Sequence, residues 1–188
     1  MPGAGEGRLI EDLVQLLAED LLADRSVALG FEAPLFVPLP ATAADLGRAR
    51  DGGRNRPWSA GAGAAVTAYA AQQVAWVLNA LGQLIGARPL RVGLDSAAWI
   101  LGDLDLLLWE AFVSGAAKDR ASTDPHVDDA RAAAREFLQR FQEGAVRSDV
   151  TAPVVFSLAG AAVLRAGLST DMDLLSQAPV VVRAPDLG

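Results

Sequence analysis

The chain contains no cysteine and a single histidine, His126. The lack of cysteine excludes a disulfide framework and any thiolate metal site. A single imidazole also excludes sites that need two histidine ligands. Serine–histidine catalysis would have to use His126, and no serine lies in the glycine-flanked pattern of a nucleophile elbow. These absences exclude disulfide, thiolate-metal and two-histidine sites.

A basic, then apolar, signal segment is absent from the opening "MPGAGEGRLIEDL", so we expect a cytoplasmic protein. The formal net charge of −7 argues against adhesion to nucleic acid through a general basic surface, although a local basic groove stays open. The chain has 188 residues, of which 52% are hydrophobic, and this is enough to bury one substantial core. Length and composition therefore predict a single domain over residues 1–188.

Apolar periodicity predicts alternating helices and strands. Residues 8–24 form an amphipathic helix with one leucine stripe, made of Leu9, Leu13, Leu16, Leu17 and Leu21. From residue 26 to 33 the period is two and both faces are apolar until Glu32, which predicts a buried, central strand ending before Pro34. Further predicted elements are a helix after Ser59, a strand over 105–113, a helix over 126–141, a strand-to-helix or all-helical segment over 153–168 and a short strand within 178–185. This order favours an α/β fold with a small sheet covered by helices.

No charged residue occurs between Pro57 and Ala87. One helical stripe in this stretch consists of Val66, Ala70, Val74, Val77, Leu81 and Leu84, and another of Gln72, Trp76, Asn79 and Gln83. The amides and glycines argue against insertion into a membrane. Because the second stripe is neutral and carries a tryptophan, we expect a two-fold homodimer through the 57–87 helix, with Trp76 near its centre.

Acidic residues end the predicted strands and open the helix that follows them. In α/β sheets the carboxyl ends of strands meet helix N-termini at one edge, so Glu32, Glu110 and Asp129 are expected together if their strands are parallel neighbours. Grouped carboxylates suit Mg²⁺ or Mn²⁺, which can activate water for phosphodiester cleavage. We assign metal binding to Glu32, Asp128 and Asp129, and catalysis to Glu32, Glu110 and Asp129. The alternative is a solvated sheet edge beside an acidic helix N-terminus.

Two short motifs resemble the RNase H-like superfamily. "HVDDA" (126–130) is similar to the His-x-x-Asp-Ala opening of the last helix in Holliday-junction resolvases. "GFEAP" (30–34) is similar to the acidic-Ala-Pro turn of predicted RNase H-like domains of unknown function. The resemblance covers residues 8–140 and implies a divalent-metal-dependent nuclease. It places Glu32 and Asp129 at metal-ligand positions, with His126 flanking the site.

The sequence also differs from the superfamily in one respect. The superfamily opens with a three-stranded meander whose first strand carries an essential aspartate, whereas only "MPGAGEG" precedes the first predicted helix. We therefore expect an RNase H-like fold without its first three strands, either because the true start lies upstream of Met1 or because the chain is an offshoot with an incomplete carboxylate set. A permuted alternative uses "RVGLDSAAW" (91–99) as the first strand, with Asp95 as the aspartate. The competing function is a non-catalytic, homo-oligomeric interaction module.

A glycine-rich loop carries Arg48, Arg50, Arg54 and Arg56 ahead of the helix that Ser59 is predicted to cap. Arginine side chains and free helix N–H groups both suit phosphate oxygens, so Arg54, Arg56 and Ser59 are candidates for anion binding. The stretch lacks the Gly-Lys-Ser/Thr ending of a P-loop. It leaves a third function open, a small phosphate- or nucleotide-binding domain, and the alternative is a solvated loop.

Overall fold

The computed structural model describes residues 9–53, 58–113 and 125–185, with side chains in the last range from residue 127 onward. Its helices and strands are α1 (Ile10–Leu22), β1 (Val27–Phe31), β2 (Phe36–Pro38), α2 (Gly61–Ile85), β3 (Val92–Gly93), α3 (Ser96–Ile100), β4 (Leu106–Phe112), α4 (Pro125–Gln142), β5 (Val155–Ser157), α5 (Leu158–Arg165) and β6 (Val181–Arg183). Two short 3₁₀ turns lie at Ala43–Asp45 and Met172–Ser176. The predicted helices and strands occur in the predicted order, but β2 and α3 were not predicted, and β3 lies in a segment predicted as a strand only in the permuted alternative.

β4 is the centre of a four-stranded, parallel sheet. β1 runs along one side of β4, with Val27 opposite Leu106 and Phe31 opposite Glu110. The other side is shared, because β3 pairs with the first half of β4 and β6 with the second half. β2 and β5 form a separate antiparallel pair. The chain is thus a mixed α/β fold with a small, mostly parallel sheet flanked by helices.

Helices cover both faces of β4, which explains its continuous apolar run. Leu106 and Leu108 face a core that includes Leu78 of α2 and Val163 of α5. On the opposite face, the side chains of Leu107, Trp109 and Ala111 share a cluster with Ala133 and Phe137 of α4. Because successive side chains of β4 point to opposite faces of the sheet, this one strand contributes to the hydrophobic clusters on both faces.

The buried face of α1 differs from the predicted leucine stripe. Its buried residues are Val14, Leu17, Ala18 and Leu21, spaced as one face of a helix. α1 packs against α2 and β1 through that face. Leu9, Leu13 and Leu16 are exposed instead, so the prediction is correct for two leucines and wrong for three.

α2 begins at Gly61, and its N-cap residue is Ala60, which makes no side-chain capping bond. The prediction that Ser59 caps the helix is wrong, because its hydroxyl donates to the Gly47 carbonyl at 2.8 Å and ties the preceding loop to the helix. The predicted inner stripe is buried at its centre, whereas Val66 and Leu84 at its ends are exposed. All four members of the second stripe are exposed within the chain, as the dimer prediction requires.

α4 lies one residue earlier than predicted at its start, and its inward face contains Ala133 and Phe137, whereas Ala130 and Ala134 are exposed. The short strand β3 precedes Asp95, whose carboxylate accepts bonds from the Ala97 and Ala98 amides. Asp95 therefore caps α3 in this structure.

In the ranges that the structure describes, none of the helices combines the length and the apolar character that crossing a membrane needs.

Candidate functional site at the carboxyl edge of the sheet

The parallel pairing of β1 with β4, the condition on which the predicted carboxylate cluster depends, sets the position of the candidate site. Because Phe31 lies opposite Glu110, the turn that begins at Glu32 leaves the sheet beside the second half of β4. Two cavities open at this edge, one of about 930 Å³ and one of about 490 Å³. Glu32 and Ala33 line both of them. In open α/β sheets this edge is where ligands bind.

Glu110 lies inside β4 and is 1% exposed. Its two carboxylate oxygens accept a bidentate pair of hydrogen bonds from Arg50, at 2.7 Å to Oε2 and 2.6 Å to Oε1. Arg50 is 6% exposed, and its guanidinium lies over the ring of Phe36 at 4.7 Å from the centroid. The structure therefore places a buried, fully formed ion pair where the sequence predicts a catalytic carboxylate.

Arg50 supplies the positive charge that a buried carboxylate requires. Oε2 of Glu110 also accepts from the backbone N–H of Leu35 at 3.0 Å. With three N–H donors in place, both carboxylate oxygens of Glu110 are hydrogen-bonded to protein groups. Its role as a catalytic carboxylate stays a prediction. In this structure the Glu110 side chain is a buried member of an ion pair.

Glu32 is exposed at the end of β1, and it makes part of both cavity walls. Asp129, in α4, is 2% exposed, whereas the neighbouring Asp128 is partly buried and its Oδ1 accepts from Arg131 at 3.3 Å. The side chain of His126 lies outside the described residues. Glu32 and Glu110 line the cavities at this edge, whereas Asp128 and Asp129 are not among the described residues that line them.

A divalent cation was expected at these carboxylates. Across residues 9–53, 58–113 and 125–185, no group of three or more acidic, histidine or cysteine side chains is arranged to hold a metal ion. Mg²⁺ often takes only one or two protein carboxylates and completes its shell with water and substrate phosphate oxygens. The assignment of a cation to Glu32, Asp128 and Asp129 stays a prediction.

The arginines of the predicted glycine-rich loop have different partners in the structure. Arg50 points inward to Glu110, and Arg48 forms an exposed ion pair with Asp45 at 3.5 Å. The Ser59 hydroxyl is engaged with the Gly47 carbonyl. Arg54 and Arg56 lie outside the described residues, so their assignment to anion binding stays a prediction.

The larger cavity is mainly apolar. It lies between α1 and α2 above the end of β1, and its walls include Leu13, Phe31, Val66 and Tyr69. The smaller cavity has more charged side chains in its wall, because Arg50 and Glu110 line it in addition to Glu32. Glu32, Ala33 and Val66 line both cavities, so the charged cavity adjoins the larger, mainly apolar one.

Sequence reasoning did not find the pairing of Arg50 with Glu110. A glutamate in the apolar run "LLLWEAF" signals that a partner cation is needed. The partner lies 60 residues earlier, in a loop that contains several arginines. Comparisons with protein-family models, curated proteins and solved structures find no match for the chain.

Proposed function

We propose that the chain has an RNase H-like fold and hydrolyses phosphodiesters with a divalent cation at the carboxyl edge of β1 and β4. The observation that carries the proposal is the parallel register of Phe31 with Glu110, which brings the Glu32 turn to the same edge as the charged cavity. α4, which follows β4 in the sequence, carries Asp128 and Asp129 in its first turns.

Glu32 and Asp129 would hold the cation, with Asp128 as a further carboxylate in α4. A bound Mg²⁺ or Mn²⁺ supplies an activated water and stabilises the charge on the leaving oxygen. Because Arg50 neutralises Glu110, we assign the cation to Glu32 and the α4 aspartates and not to Glu110. The remaining ligand positions are left for water and phosphate oxygens.

Titration of the full chain with Mn²⁺, followed by electron paramagnetic resonance of the free ion, tests the metal site. We expect Glu32→Gln and Asp129→Asn each to weaken Mn²⁺ binding strongly and to abolish Mn²⁺-dependent cleavage of a labelled oligonucleotide. Asp12→Asn, which removes an exposed carboxylate from α1, is the matched control and should leave both measurements unchanged. A native chain that binds no Mn²⁺ at millimolar concentration would reject the proposal.

A second function, a non-catalytic homo-oligomeric interaction module, is supported by a different observation. The exposed face of α2 contains no charged residue along its 25 residues. Surfaces between subunits differ from ordinary surface mainly in this depletion of charge and in their aromatic side chains. Trp76 and Tyr69, both exposed, provide the aromatic component.

A further inference from the structure

The turn that carries Glu32 is held at both of its ends. On one side, Phe31 is in register with Glu110 in the parallel β1–β4 ladder. On the other side, the Leu35 N–H donates to Glu110 Oε2 at 3.0 Å. The Leu35 carbonyl also accepts from the Leu158 and Ala159 amides, at 2.8 and 3.0 Å. Glu110 therefore lies opposite the residue before the turn in the ladder, and its side chain bonds the far end of the turn.

Arg50 fixes the orientation of the Glu110 carboxylate. Two parallel N–H···O bonds allow a single plane for the carboxylate, so the position of Oε2 relative to Leu35 is determined. The backbone next to Arg50 is itself anchored, because Asp51 and Thr151 exchange two hydrogen bonds at 3.1 and 3.0 Å. The anchored segment thus orients Arg50, which orients Glu110, which holds Leu35.

We propose that Arg50 and Glu110 are positioning residues that fix the Glu32 turn over the charged cavity, and that Glu110 itself does not bind the cation. This inference rests on the proposed metal function at Glu32. A buried ion pair generally adds little stability compared with packed apolar side chains. Its specific contribution here is a carboxylate oxygen at a defined place beneath the turn, next to the cavity that Glu32 and Arg50 both line.

The test uses Glu110→Gln and Arg50→Met in the full chain. Both variants should lose protection of the Leu35 amide against hydrogen exchange and should increase the fast motion of the Glu32 amide in ¹⁵N relaxation. Mn²⁺ affinity should fall by about 10-fold or more, as for other residues that orient metal ligands. Arg50→Met keeps the Glu110 carboxylate, so a loss of affinity in this variant cannot come from a missing ligand.

The matched control is Asp105→Asn. Asp105 accepts from Nε and Nη2 of Arg91, at 3.1 and 2.6 Å, so it belongs to a similar ion pair at the opposite end of β4. This variant should leave Leu35 exchange and Mn²⁺ affinity unchanged. Unchanged Leu35 exchange and Glu32 relaxation in both test variants would overturn the positioning role, whether or not the native chain binds Mn²⁺. Altered backbone readouts in a native chain that binds no Mn²⁺ would reject the metal function and support the positioning role.

Discussion

Gly30 lies directly beneath the indole of Trp109. A Cβ atom built on Gly30 would be 2.5 Å from Cε2 of Trp109, closer than any relaxed contact. Trp109 cannot move away easily, because it is buried and stacks on Phe137 with a centroid distance of 4.6 Å. We expect Gly30→Ala to lower the free energy of unfolding by about 1–3 kcal/mol, the usual cost of overpacking a core. Urea denaturation measures this value.

The same contact can be isolated by a double-mutant cycle. Trp109→Phe replaces the indole, whose Cζ2, Cε2 and Cδ2 atoms a Cβ on residue 30 would meet, by a smaller ring. Gly30→Ala should therefore cost less in the Trp109→Phe background than in the native chain. An equal cost in both backgrounds would show that the effect comes from the strand backbone and not from the indole.

Single residues also mark the limit of prediction from the sequence. Glu32 could be identified because the acidic residue interrupts an apolar strand just before Pro34. Glu110 could be identified in the same way, but its partner could not, since four arginines in the same loop were equally available. The choice of Arg50 depends on packing against Phe36 and on the pairing of Asp51 with Thr151, which are both tertiary contacts.

At the scale of elements, the helices and strands were predictable and their buried faces were only partly so. The change from a helical period to a period of two located α1 and β1. The face of α1 was assigned from its leucines, but the neighbours of the helix decide which face is buried. Packing on α2 and β1 selects Val14 and Ala18 over Leu9 and Leu13. Small residues at a close helix contact give little signal in one sequence.

The amino-terminal ends of β3 and β4 are joined by an ion pair whose strength depends on pH. Hydrogen bonds from the Arg91 side chain hold the pKa of Asp105 below its usual value, with a smaller contribution from the Arg91 amide, while partial burial acts in the opposite direction. A folded-state pKa below the unfolded value means that the stabilisation is complete above the unfolded pKa of about 3.9. It is lost as the pH falls through the lowered folded pKa.

Unfolding by urea at several pH values tests this ion pair. Asp105→Asn should be less stable than the native chain at pH 7, and the difference should shrink as the pH falls below about 4. Since Arg91 is more than half exposed, high salt should reduce the difference as well. A difference that stays constant from pH 7 to pH 3 would contradict the assignment.

The distribution of charge over the whole molecule favours one way for two copies to associate. The net charge is −7, so most pairs of surfaces would bring like charges together. The exposed face of α2 is an exception, since it carries no charge and presents Val66, Tyr69 and Trp76 at helical spacings of three and seven residues. Such a face can pack against its own copy about a two-fold axis.

We therefore expect a homodimer with Trp76, which is 44% exposed in the single chain, near the centre of the interface. Loss of a central aromatic typically costs about 2 kcal/mol or more, about 30-fold in the dissociation constant, and an introduced charge adds a desolvation cost. Light scattering should give a dimer for the native chain and a monomer for Trp76→Glu. Leu101→Glu, which adds the same charge at an exposed leucine beyond α3, is the control and should remain dimeric. A native monomer at micromolar concentration, or a Trp76→Glu dimer, would rule out this interface.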